Sequence, residues 1–230
     1  GQILVDCQGL TLRNSTYDFA ALGYLIGSLV KDKLPVLKGI PAWVDTDHLK
    51  AFSAAVASSG STAMFHMIGI TPEAPDEKTA FQGTKPEETI DIDNNMLLET
   101  KMSLTKKDAK EVEVVVLGCP HASAPEIIKI AGMINQRKIA NNIELWIYTN
   151  KTVYNWLSST SILEDLKRSG VKIFRDTCFV ATDLKHWDFK TVMTNSAKYA
   201  HYIPNRTGLN VIFADTQQCV NTALSGKLAL

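Results

Sequence analysis

Three of the four cysteines sit where a thiolate can meet a ligand. Cys119 lies in Gly118-Cys119-Pro120-His121-Ala122-Ser123, Cys178 in Asp176-Thr177-Cys178, and Cys219 in Gln217-Gln218-Cys219-Val220. Each follows a short apolar run that reads as a β-strand, and open α/β sheets gather their chemistry at the carboxyl ends of the strands. An ionised thiol there is a soft metal ligand, and a helix N-terminus beside it lowers its pKa. The spacings match no zinc knuckle, no ferredoxin run and no Cys-x-x-Cys redox pair. Spacing alone leaves two readings open. Either three thiols face one crevice, or each is a separate buried cysteine packed as a small hydrophobe.

The elements that must position them alternate. The run over 112–117 predicts a strand that breaks at Gly118. Ser123 and Glu126 have capping-box spacing, and Ile127, Ile130, Ala131 and Ile134 form one apolar stripe, so a helix is expected over 124–137. A strand over 143–148 and a helix over 151–168 follow, the latter stopped by Gly170. Strands over 171–174, 191–194 and 210–214 and a last helix over 216–225 complete this half. Strands alternating with helices imply parallel strands joined by right-handed crossovers, a layered α/β/α domain with mostly parallel sheets.

The first half carries a strand over 3–7, a helix over 17–30 and a strand over 35–40. A second helix, capped by Asp45 or Thr46, ends at Gly60. Gly23 and Gly27 lie four apart, a spacing of close helix packing. A buried strand over 63–70 places His66 as a hydrogen-bonded core histidine. Two prolines in Thr71-Pro72-Glu73-Ala74-Pro75 fix a rigid loop. The polar stretch 76–88 reads as a surface excursion, and 94–107 as a helix capped by Asp93 or Asn94. The charge run from Lys106 to Glu111 is the expected boundary, giving a partial α/β domain over 1–107 and an α/β/α domain over 108–230.

Composition narrows the classes. Lys plus Arg and Asp plus Glu balance at 24 each, so there is no electrostatic footprint for nucleic acid or an anionic membrane. No apolar run reaches the roughly 18 residues of a membrane span. Four widely spaced cysteines are not a secreted disulfide framework, and they point to a reducing, cytoplasmic setting. No G-x-G-x-x-G follows a strand, so dinucleotide binding is not indicated. The abrupt start of the first strand suggests a piece of something longer.

The strings GCPHAS, DTC, TNSAKYAHY and QCV, preceded by HMIGITPEAP and FQGTKPEET, resemble the catalytic large component of the aconitase X family. The resemblance spans essentially the whole chain in order. It implies an aconitase-like fold, an iron–sulfur cluster held by three cysteines, and dehydration of a small hydroxy acid, cis-3-hydroxy-L-proline or mevalonate 5-phosphate. Cys119, Cys178 and Cys219 fall in the family's motifs and take the ligand roles; Cys7 lies in none and is structural. Lys198 and Ser196 suit an anionic substrate, Asn195 its orientation, and His121 a donor to substrate or cluster sulfur. His201, between two tyrosines, reads as packing. The resemblance also implies a swivelling small domain or subunit as partner, with the catalytic base outside these residues. A ligand from a preceding N-terminal region would displace one of the three cysteines. The isolated fragment is expected to be inactive and free of its cluster. The alternatives are a metal-free α/β domain that binds a small anionic ligand at the strand edge, and a structural subunit that docks a catalytic partner.

Overall fold

A computed structural model describes residues 1–105, 111–182, 184 and 187–230. The chain divides into two compact units, Gly1–Ser103 and Leu104–Leu230. The boundary expected at 107/108, with its charge run, lies outside the described residues. Both units are α/β with wholly parallel sheets, as the alternation predicts. No described helix is long and apolar enough to cross a membrane.

The first unit runs β1 (Ile3–Asp6), α1 (Thr16–Val30), β2 (Pro35–Lys38), α2 (Thr46–Gly60), β3 (His66–Met67), α3 (Glu77–Ala80), β4 (Glu88–Asp91) and α4 (Asn94–Ser103), with strand order β3-β2-β1-β4. Asp45 caps α2 through a capping box closed by His48. Helices α1 and α2 pack closely because Gly23 and Gly27 carry no side chain. A Cβ at either would overlap the Phe52 or Val56 carbonyl oxygen.

Two expectations need correction here. The strand expected over 63–70 shrinks to His66–Met67, because β3 is an edge strand paired with β2 alone and the chain turns at once. The amides of Ile70 and Thr71 both bond back to the Met67 carbonyl, and Gly69 takes a positive φ of 74°. Conversely, β4 forms inside what reads as a polar excursion. Glu88-Thr89-Ile90-Asp91 has one apolar residue, so no pattern announces it; its ladder to β1 makes the strand, and charge on an edge discourages further pairing.

The second unit runs β5 (Val114–Ala122), α5 (Ala124–Ile134), β6 (Glu144–Thr149), α6 (Lys151–Ser158), α7 (Ser161–Ser169), β7 (Lys172–Arg175), a 3-10 turn (Phe179–Ala181), β8 (Thr191–Thr194), α8 (Ala197–Thr207), β9 (Asn210–Phe213) and α9 (Thr216–Ser225). The strand order is β7-β6-β5-β8-β9. The helix expected over 151–168 is two helices, because Thr160 turns its hydroxyl to the Ile162 amide and caps a new one. Helix α5 stops at Ile134, where Asn135 adopts the left-handed conformation.

Side chains alternate across this sheet, so it has two distinct faces. Val115, Leu117, Leu145, Ile147, Met193 and Ile212 face one core, covered by α5, α7 and α9. Trp146 belongs to the opposite face. Its ring packs against Phe174, Phe179, Trp187 and Phe189 at centroid distances of 4.9, 5.7, 5.0 and 5.6 Å, and Phe179 in turn meets Tyr199 of α8. Helices α8 and α9 therefore lie on opposite faces, although both follow neighbouring strands.

Candidate functional site

The chain leaves β5 outward through β6 to β7, then returns to place β8 on the other side of β5. That reversal makes the β5/β8 boundary the topological switch point, where open α/β sheets form a crevice beyond the strand ends. The carboxyl end of β5 carries Gly118, Cys119 and His121, and the carboxyl end of β8 leads into Asn195, Ser196 and Lys198.

Strand β5 does not stop at Gly118 as expected. It continues to Ala122 with a shift of register against β6, so Cys119 stands on a bulged rim segment. Gly118 has φ +92°, and a Cβ there would overlap the Tyr148 carbonyl oxygen. Only glycine fits this close approach. The Cys119–Pro120 peptide is cis.

Cys178 arrives from two strands away. After β7 the chain doubles back across the rim, with the Asp176 amide on the Thr149 carbonyl at 3.0 Å. His121 Nε2–H then donates to the Thr177 carbonyl at 2.8 Å. The Phe179 amide donates to the Tyr199 hydroxyl at 3.1 Å. These bonds return Cys178 to the mouth of β5.

The two thiols meet around Tyr199. Both sulfurs lie near enough to its hydroxyl to disfavour the phenolate. Burial pushes the Cys119 thiol up to about 11. The Ser196 hydroxyl, the Lys198 ammonium and the Tyr199 hydroxyl pull it down, and the neighbouring Cys178 pushes it up. Burial, with both sulfurs adding to it, raises the Tyr199 phenol far above its ordinary value, so it remains a neutral donor. Ser196 is buried and caps α8, accepting from the Tyr199 amide at 3.2 Å. Tyr199 carries no signal of its own in the sequence. Its place three residues after a capping serine, in the first turn of the helix at the switch point, is the one clue.

The remaining expected residues divide. Lys198 is exposed in the first turn of α8, beside Cys119. Asn195 donates from Nδ2 to the Thr216 hydroxyl at 3.0 Å, tying the end of β8 to the start of α9. Cys219 does not join the pair. It is fully buried among Val115, Leu117 and Ile127 on the other face, and its thiol donates to the Ala214 carbonyl at 3.7 Å. Burial, and then Asp215, raises its pKa well above the ordinary thiol value. The reason is topological: α9 covers the face opposite α8. Among the described residues no group of three or more His, Cys, Asp or Glu side chains stands close enough to share a metal ion.

In the first unit, Cys7 is buried, and burial followed by the Asp6 charge pushes its thiol up to about 12. His66 lies at the sheet edge, and its buried Nδ1 has no partner among the described residues, unlike the bonded core histidine expected. His201 packs edge-on against Tyr202 at 4.8 Å.

The aconitase X second-domain model matches residues 1–102, and the aconitase X third-domain model matches residues 112–225. The chain belongs to the aconitase X family. This aconitase X chain is 34% identical to the cis-3-hydroxy-L-proline dehydratase of Pseudomonas aeruginosa, over 98% of its own length and 39% of that protein's. It is 32% identical to the phosphomevalonate dehydratase large subunit of Methanosarcina mazei, over 98% of its own length and 52% of that one's. Its fold superposes on aconitase X from Thermococcus kodakaraensis, solved in its holo-form, with a TM-score of 0.83 at 28% identity. That match covers 96% of this chain and 55% of the other. The chain thus spans about 39% to 55% of the length of these relatives. The aconitase-like α/β architecture expected from the motifs is the one observed.

Proposed function

We propose that this chain forms the second and third domains of an iron–sulfur hydro-lyase that dehydrates a small hydroxy acid. The relatives named for cis-3-hydroxy-L-proline and phosphomevalonate supply the two candidate substrates. The observation that carries the proposal is the pairing of Cys119 and Cys178 at the switch-point rim, their loops tied by the His121–Thr177 hydrogen bond and both sulfurs near Tyr199.

The donor set suits such a cofactor. Two soft sulfurs share one crevice, and hydroxyls and an ammonium beside Cys119 offset part of the burial that disfavours its thiolate form. Cys119 and Cys178 supply two protein ligands, and a third comes from the part of the enzyme beyond this chain. When bound, an iron with an open position supplies Lewis acidity toward a departing hydroxyl. The chain's own residues do the rest. Tyr199 anchors the residue after Cys178 through the Phe179 amide, Ser196 caps the helix that carries Tyr199, His121 ties the two cysteine loops together, and Lys198 with the first turn of α8 attracts the substrate's anionic group. Asn195 keeps the end of β8 in register with α9. The proton-abstracting base lies in a swivelling small domain or subunit that closes over the crevice.

The test uses the complete enzyme with its small partner, reconstituted anaerobically with iron and sulfide and assayed on both substrates. Turnover of one of them, abolished in Cys119→Ser and Cys178→Ser, supports the proposal. Wild-type turnover in the double variant contradicts it.

A further inference from the structure

We propose that Tyr148 is a positioning residue for Cys178, its buried phenol fixing, through Thr182, the peptide that follows the cysteine. A carbonyl oxygen only accepts, so the Thr182 hydroxyl gives its one hydrogen to the Cys178 carbonyl at 3.0 Å. Tyr148 must then be the donor in its 3.1 Å bond to the Thr182 hydroxyl. The Ala181 amide reaches the same Cys178 carbonyl at 3.0 Å and occupies its second lone pair. Bonds from Ala181 and Thr182 alone would close only a local turn. Tyr148, fully buried on β6 and stacked on Phe174 at 5.0 Å, ties that turn to the sheet.

The nitrogen side of the same peptide is held as well. The Phe179 amide donates to the Tyr199 hydroxyl at 3.1 Å, so one peptide plane lies between two buried tyrosines, from β6 and α8. The preceding plane is anchored where its Thr177 carbonyl accepts from His121 at 2.8 Å. A residue has two soft backbone torsions, and they relate these two planes. With both planes anchored, Cys178 is fixed in an extended conformation, φ −143° and ψ 143°, and only its side-chain torsion is left free. The direction in which the thiol leaves the chain is therefore set by the protein before any metal arrives. The ligand role of Cys178 rests on the proposed function; the hold of Tyr148 on its backbone does not.

The test is amide hydrogen exchange, followed by mass spectrometry, in the complete enzyme stripped of metal with chelator and kept reduced. Tyr148→Phe keeps the ring and removes the hydroxyl. Thr182→Val removes the relay, and Thr182→Ser retains it. Ile130→Val, in the core on the other face of the sheet, controls for a general loss of stability. In Tyr148→Phe and Thr182→Val the amides of 177–182 should exchange about two- to tenfold faster than in wild type, the population factor of one net hydrogen bond. Thr182→Ser and Ile130→Val should stay near the wild-type rate. Wild-type exchange in Tyr148→Phe, or equal acceleration in Ile130→Val, overturns the proposal. The same samples are then offered iron and sulfide anaerobically. Where wild type takes up the cluster, Tyr148→Phe should take it up more slowly; equal rates overturn the positioning role. A colourless wild type sinks the cofactor reading and leaves the exchange rates to judge Tyr148.

Discussion

His121 and Thr177 are joined by a single hydrogen bond, Nε2–H to carbonyl at 2.8 Å, and it links the loop bearing Cys119 to the loop bearing Cys178. The sequence distance it spans is 56 residues. Removing the donor should therefore separate the thiols more than it destabilises the fold. His121→Leu is expected to cost about 1 kcal/mol of stability and to lower cluster occupancy. His121→Gln, whose amide nitrogen reaches the position of Nε2, should recover most of both. Iron content per chain, measured beside urea unfolding, checks this; equal occupancy in the Leu and Gln variants would contradict it.

Gly118 presents a sharper case. It combines φ +92° with a backbone approach that leaves no room for a Cβ beside Tyr148. Gly118→Ala must open the β5–β6 rim or change the backbone, at a cost on the order of 2–3 kcal/mol. Cys119 is the next residue, so the same shift displaces the sulfur. The variant should unfold at lower denaturant and lose cluster binding together. A variant as stable as wild type would show that the rim adapts freely.

Asp18 controls the acid stability of the first unit. Its side chain is 1% exposed, and it receives Lys101 Nζ at 2.7 Å and the Arg13 guanidinium at 3.0 Å. Burial alone would raise its pKa, but the hydrogen bonds from Arg13 and Lys101 outweigh burial and hold it below the usual carboxylate value. A depressed folded-state pKa means stabilisation that is present above the unfolded pKa, about 3.9, and lost as pH falls through the folded one. Asp18→Asn leaves Lys101 partly buried without its partner, a loss of about 3–5 kcal/mol. Urea unfolding followed from pH 7 to pH 3 should show wild type converging on the variant as the acid limit nears. Parallel curves would assign the stability elsewhere.

The parallel architecture was legible because buried strands announce themselves by apolar runs and helices by their caps: Asp45, Ser123 and Asp215 each close a capping box. Strand β4 was not legible, since backbone pairing to β1 forms it with hardly any apolar side chain. The cysteine motifs placed Cys119 and Cys178 at the carboxyl ends of strands, and that is where the two residues lie. They could not place Cys219, because one linear rule, a cysteine after a strand, does not say which face the next helix covers. Strands β8 and β9 adjoin, yet α8 and α9 go to opposite sides, and that choice is made by the whole sheet. Tyr199 was missed for the same reason. Its role is defined by a loop returning from β7, which no local spacing encodes.

The most direct test is visible absorption after anaerobic reconstitution of the complete enzyme, with Cys119→Ser, Cys178→Ser and Cys219→Ser compared side by side. The account predicts that the first two lose the broad iron–sulfur absorption. Cys219→Ser should keep it while losing about 1–3 kcal/mol of stability, the cost of a hydroxyl in an apolar core. Retained colour in Cys178→Ser, or colour lost only in Cys219→Ser, would contradict the assignment of the site to the β5/β8 rim.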